Sequence, residues 1–122
     1  VMVVHSEDGL DEFSIANTTY VAELKDNNIS PYTIHPRDFG LEEGNLDSIE
    51  AENAEQSLAL INEAFSGKKG VARDIIALNA GAAIYVSGLV SSFDEGVTQA
   101  NQILSDGSAQ DKLDAYILAS NS

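Results

Sequence analysis

Cysteine is absent from the 122 residues, so neither a disulfide framework nor a thiolate-ligated metal is available to this chain. Histidine is scarce as well. His5 and His35 are the only two and form no H-x-x-x-H pair, which argues against a zinc site. Positive charge is the third shortage: Lys25, Arg37, Lys68, Lys69, Arg73 and Lys112 face twenty acidic residues, for a net charge of −14. Such a surface repels phosphate backbones and anionic lipid, so nucleic acid and membrane partners are both disfavoured. It also argues against this chain alone cradling a polyphosphate, unless a divalent metal supplies the missing positive charge. No uninterrupted membrane-length apolar run exists; the longest candidate, "GVARDIIALNAGAAIYVSGLV", carries Arg73, Asp74 and Asn79. The opening residues have neither the basic start nor the small-residue cleavage site of a signal peptide. The lack of cysteine fits a reducing compartment without demanding one, and a cytoplasmic location is expected.

What remains is ordinary for a globular protein. Hydrophobic residues make up 43% and charged residues 21%, enough to build one core in one domain. Val1 to Val4 form a continuous apolar run, the pattern of a strand covered on both faces, as in a parallel sheet. A chain that starts in such a run reads as a piece of something longer. "TTYVAELKDNNISPYTI" is a hairpin signal, with Asp26, Asn27 and Asn28 suited to the turn and Pro31 marking its second strand as an edge. An acidic, glycine-punctuated connection follows, with a short helical turn expected after Pro36.

The second half reads as four helices. In "AENAEQSLALINEAFSG", Ala54, Leu58, Ile61 and Phe65 recur at helical spacing before Gly67. The next helix is apolar on a broad face through Val71, Ile75, Leu78, Ala82, Tyr85, Val86 and Leu89, and nearly as apolar opposite, so it is expected to lie buried. "SSFDEGVTQANQILSDG" opens with a capping box of Ser92 and Glu95 and presents Phe93, Val97, Ala100 and Leu104 as its core face. A last short helix is expected to start at Ser108 as cap and to pack Leu113, Tyr116 and Ile117. The expected class is α+β, strands first and helices after.

Among candidate sites, the adjacent carboxylates of Asp11 and Glu12 stand out in "VMVVHSEDGLDEFS". A loop after a buried parallel-type strand arrives where open α/β sheets place their ligands. Gly9 permits a tight bend there, and Mg²⁺ in phosphate-handling sites is held by one or two carboxylates plus water and substrate oxygens. Adjacent acids in loops are common, however, and spacing alone favours a solvated loop. His5 reads more naturally as a hydrogen-bonding group at a strand end than as a ligand, and His35 as a loop residue. "FSGKKGVARD" gathers Lys68, Lys69 and Arg73 but lacks the G-x-x-x-x-G-K-[ST] spacing, so it reads as a turn between helices. Asn79, in the middle of the buried helix, needs partners and is expected to pin helix packing.

Five segments, in order, carry a resemblance that spacing does not: "VVHSEDGLDE", "VAELKD", "IHPRDFGL", "NAEQSLALINEAFSGKKGVARDIIALNAGAAIYVSG" and "SFDEGVTQANQILSDGSAQDKL". Together they resemble the C-terminal part of the anthranilate phosphoribosyltransferase family. The resemblance implies that residues 1–122 are a C-terminal fragment of the α/β catalytic domain of a nucleoside phosphorylase/phosphoribosyltransferase fold. The helical N-terminal domain and glycine-rich phosphate loop would lie upstream. It implies transfer of the phosphoribosyl group of 5-phosphoribosyl-1-pyrophosphate to anthranilate, with release of pyrophosphate, in tryptophan biosynthesis. It also implies Mg²⁺ as cofactor, a homodimer at full length, and Asp11 and Glu12, in "GLDE", as the metal ligands. On that basis the chain alone is expected to be inactive, with self-association open to it. Two other readings stand beside this one: a related nucleoside phosphorylase-like glycosyltransferase, and a non-catalytic acidic interaction module.

Overall fold

The computed structural model describes residues 1–122. Three strands come first: β1 (Met2–Ser6), β2 (Thr19–Lys25) and β3 (Asn28–Ile34). Two short 3₁₀ turns follow at Pro36–Phe39 and Leu46–Ile49, and then four helices: α1 (Ala54–Phe65), α2 (Val71–Val86), α3 (Phe93–Asp106) and α4 (Ser108–Ser120). The expected order of strands before helices is observed, as is the turn after Pro36.

The sheet is antiparallel throughout, in the order β1-β2-β3. The β2–β3 hairpin turns on Asp26 and Asn27, both at positive φ (51° and 61°), the backbone of a type I′ turn that short polar side chains tolerate. Pro31 sits on the edge strand, where its missing N–H costs no ladder bond.

One detail corrects the sequence reading. The apolar run predicts β1 as a parallel-type strand buried on both faces; instead it pairs antiparallel with β2, Val4 opposite Val21, and its other edge is open. Its burial alternates, with Met2 and Val4 half-buried and Val1 and Val3 at 69% and 67% exposure. Four apolar residues in a row report the absence of polar groups. They do not report which neighbours cover each face, and within these residues only one face of the sheet has helices against it.

The covered face sends Val4, Val21, Tyr32 and Ile34 toward α2 and α3, where they meet Leu78, Ala82, Phe93 and Val97. Phe93, the first residue of α3, is the hub. Its ring lies 5.0 Å from that of Phe13 and 4.6 Å from that of Phe39, both tilted, and it stacks on Tyr85 at 6.5 Å. Ser92 caps α3 by accepting from the Glu95 amide, as the capping box required. The Glu95 carboxylate reaches back to Ser91, one residue earlier than expected.

α2 and α3 are in backbone contact. A Cβ built on Gly96 would stand 2.2 Å from the Gly81 carbonyl oxygen, and one on Gly81 would stand 2.6 Å from the Val97 nitrogen. Those atoms belong to main chain and have no rotamer with which to yield.

The peripheral helices differ from expectation. In α1 the buried residue is Ala64, with Ile61 and Phe65 half-buried beside it and Phe65 packed against Ala77, Ala100 and Leu104, while Leu58 is exposed at 42%. α4 buries nothing fully: Tyr116 and Ile117 are exposed, and Gly107 occupies the cap position expected of Ser108. Leu89 lies beyond the end of α2 and is 73% exposed. Periodicity marked these apolar stripes correctly but could not show that no second layer covers them within these residues.

A polar clamp joins the hairpin to the end of α2. Tyr85 donates to one oxygen of Glu23 at 2.6 Å, Tyr32 donates to the other at 2.9 Å, and Lys25 donates to the Tyr85 hydroxyl at 3.2 Å. The Tyr85 bond, aided by Tyr32, Lys25 and the N-terminal ammonium, holds the Glu23 carboxyl below its ordinary range against the opposing effect of burial.

Two expected outcomes follow from this packing. Gly96→Ala gains helix propensity but forces the two helices apart, and should lower unfolding free energy by about 2 kcal/mol or more in denaturant titration. Because the folded Glu23 carboxyl titrates below its unfolded counterpart, its contribution is complete above the ordinary glutamate value of 4.5 and is lost as pH falls through the folded value. Thermal melts of the wild type and Glu23→Gln should therefore differ at pH 7 and converge once the pH has fallen below the folded value.

Candidate functional site

Residues 7–18 leave β1, form a loop, and return to β2. The loop is polar and tightly self-bonded. The Ser6 amide donates to the Leu10 carbonyl at 3.0 Å and the Gly9 amide to the Ser6 carbonyl at 2.9 Å, a tight bend that Gly9 makes at φ 90°. Asp8 is its internal knot. One carboxylate oxygen accepts from the Leu10 amide at 3.3 Å; the other accepts from the Ser14 hydroxyl at 2.5 Å and the Asn17 amide group at 3.3 Å. Burial pushes the Asp8 carboxyl up, but the bonds from Ser14, Ser6, Leu10 and Asn17 together outweigh it and hold it below the usual range. The buried Ser14 hydroxyl in turn accepts from the amides of Ala16 and Asn17 at 2.9 and 3.2 Å, and its own amide donates to Thr19.

Asp11 and Glu12 stand on this frame with exposed side chains that take part in no ion pair. Immediately after them Phe13 turns inward, its ring buried against Phe93. Its backbone is gripped by α2. The Phe13 amide donates to Asn79 Oδ1 at 2.9 Å, and Asn79 Nδ2 donates to the Phe13 carbonyl at 2.9 Å and to the Ile75 carbonyl at 3.0 Å. Asn79, singled out as a residue that pins packing, thus pins the loop to the helix. Asp11, Glu12 and Asn79 all border a cleft of about 340 Å³ between β1 and α2, otherwise lined mainly by apolar groups such as Val4 and Val86.

The donor set is limited and specific. No group of three or more His, Asp or Glu side chains converges anywhere in the chain, so a full protein cage for Ca²⁺ or Zn²⁺ is lacking. Two free carboxylates on a braced loop fit Mg²⁺, which keeps several waters and takes its remaining oxygens from substrate phosphate.

The other sequence candidates are placed elsewhere. His5 is exposed on β1 opposite Tyr20. His35 caps the first 3₁₀ turn: its Nδ1 accepts from the Arg37 amide at 3.2 Å, while Nε2 faces Glu43 at 3.0 Å. Lys68 pairs with Glu63 at 2.9 Å on the surface. Arg73 is buried and spent on structure, donating to the Gly67 carbonyl, the Asn101 carbonyl and the Ser105 hydroxyl at 2.6, 3.1 and 2.7 Å. The "GKKG" segment is therefore a turn between helices, as expected, and Arg73 fastens it to α3. The roles of Asp8 and Ser14 were missed by sequence reasoning, although a Ser six residues after an Asp in a glycine-bearing loop is the available signal.

Residues 1–110 match the family described as "Glycosyl transferase family, a/b domain". Among curated proteins, the anthranilate phosphoribosyltransferase of Ruthia magnifica subsp. Calyptogena magnifica is 57% identical over 117 residues, covering 96% of this chain and 34% of the relative. That of Marinomonas sp. is 55% identical over 115 residues, covering 93% of this chain and 33% of the relative. Among solved structures, anthranilate phosphoribosyltransferase from Thermus thermophilus superposes with a TM-score of 0.85 at 32% identity, covering 96% of this chain and 34% of that one. The Saccharomyces cerevisiae enzyme in complex with PRPP and Mg superposes with a TM-score of 0.78 at 26% identity, covering 93% and 33%. The chain spans about a third of the length of the curated relatives it matches.

Ser14→Ala removes a donor to Asp8 and an acceptor for two amides. With about 1 kcal/mol lost per hydrogen bond, hydrogen exchange at the Ala16 and Asn17 amides should accelerate about fivefold or more, with little change in α3.

Proposed function

The chain belongs to the glycosyl transferase family in its α/β domain, and from that membership we propose that it is the C-terminal third of an anthranilate phosphoribosyltransferase. The complete enzyme would transfer the 5-phosphoribosyl group of 5-phosphoribosyl-1-pyrophosphate to anthranilate, giving N-(5-phosphoribosyl)anthranilate and pyrophosphate in tryptophan biosynthesis. The observation that carries this reading is the near end-to-end similarity, at more than half identity, to enzymes of that name.

Asp11 and Glu12 are the residues that would hold Mg²⁺. They are adjacent, exposed and braced on both sides, and they leave room for water and diphosphate oxygens. When bound, the cation supplies neutralisation of the charge that develops on the departing diphosphate. The two acids act on substrate only by holding it, and neither is assigned as a base toward the amine. The strongly acidic chain becomes consistent with a phosphorylated substrate once the metal is counted, because −14 of formal charge would otherwise repel it. The catalytic power left to the protein is alignment of amine and ribose carbon, by groups outside these residues. A homodimer at full length and a cytoplasmic location belong to the same proposal. No helix is long and apolar enough to cross a membrane.

In the complete enzyme, Asp11→Asn combined with Glu12→Gln should reduce Mg²⁺-dependent turnover by about a hundredfold or more while folding is retained. The isolated chain, given both substrates and Mg²⁺, should show no turnover. An unchanged metal requirement in the double variant would reduce the loop to a solvated surface. Turnover by the complete enzyme with a different acceptor, and none with anthranilate, would move the protein to a sister activity in the family.

A further inference from the structure

Asp11 and Glu12 carry no ion pair of their own, so the orientation of their carboxylates is inherited from the backbone on either side. That backbone is fixed at two posts. Before the pair, the Leu10 amide is held by the Asp8 carboxylate and the Leu10 carbonyl by the Ser6 amide. After the pair, both polar backbone groups of Phe13 are held by Asn79. Two residues hang between these posts, and they are the two acids.

We infer that Asn79 and Asp8 are positioning residues for the cation held by Asp11 and Glu12: together they set the shape of the arc and, through it, the affinity for the metal. The inference rests on the metal reading given above and deepens it. Asn79 suits the task chemically. A carboxamide presents one donor and one acceptor side by side, the complement of the N–H and C=O of a single residue, whereas a carboxylate accepts only. It also suits the task mechanically, because its neighbours Ala77 and Leu78 are fully buried and α2 cannot shift to follow a drifting loop. Asp8 performs the matching role from inside the loop, through Ser14 and Asn17.

A purely structural Asn79 would lower the melting temperature when replaced and leave the metal affinity of the folded protein unchanged. A positioning Asn79 moves the affinity. The discriminating measurement is Mn²⁺ binding followed by electron paramagnetic resonance in the complete enzyme with 5-phosphoribosyl-1-pyrophosphate present, beside thermal melts of each variant. Asn79→Ala should weaken Mn²⁺ binding about tenfold or more, in the range that groups orienting metal ligands contribute. Unchanged affinity in folded Asn79→Ala overturns the inference. Should that variant fail to fold, Asp8→Ala decides in its place, since Asp8 is exposed and bonds only to polar groups of its own loop. Asp11→Asn with Glu12→Gln separates the two levels of argument. If the double variant keeps Mn²⁺, the metal reading itself falls and takes the positioning role with it. If the double variant loses Mn²⁺ while Asn79→Ala keeps it, only the positioning role falls.

Discussion

A single side-chain amide, that of Asn79, bonds to both backbone polar groups of Phe13 across 66 residues of sequence. The rest of the arrangement depends on this grip. It closes a long loop against the most buried helix, brings the Phe13 ring onto Phe93, and leaves the two preceding carboxylates pointing outward. A loop of this length would otherwise carry several unsatisfied main-chain groups beside an apolar core, each with a desolvation cost comparable to a lost hydrogen bond. With Asn79, Ser14, Thr19 and Asp8 in place, no buried side-chain nitrogen or oxygen is left without a partner.

The aromatic hub extends that constraint. Phe93 lies at the start of α3 and simultaneously contacts the loop, the 3₁₀ turn through Phe39, and α2 through Tyr85. Tyr85 then reaches Glu23 in the hairpin. The acidic loop, the turn and the sheet are therefore referenced to one ring rather than to one another in sequence. This is how a chain made of local elements acquires a fixed relation between its N-terminal loop and the helices α2 and α3.

Much of this was legible in the sequence, and the exceptions have physical causes. The I′ turn at Asp26 and Asn27, the edge strand with Pro31, the cap at Ser92 and the core face Phe93, Val97, Ala100 and Leu104 all follow from local rules, because local geometry decides them. The need of Asn79 for partners was also readable. Its choice of Phe13 was not, since a contact between residues so far apart leaves no periodic trace. The same limit explains β1, whose apolar run says nothing about strand direction, and the exposure of Leu58 on α1 and of Tyr116 and Ile117 on α4 within these residues. The acidic pair was visible from the start, but only family resemblance distinguished it from any other solvated loop.

The glycine contact between α2 and α3 bears on how this sequence can drift. Where two main chains touch, no side chain can be added at Gly81 or Gly96 without prising the helices apart. The hub ring and the grip on the loop both sit on those helices. Divergence among related chains should therefore accumulate on the outward surfaces of α1 and α4, with this crossing point among the last places to change.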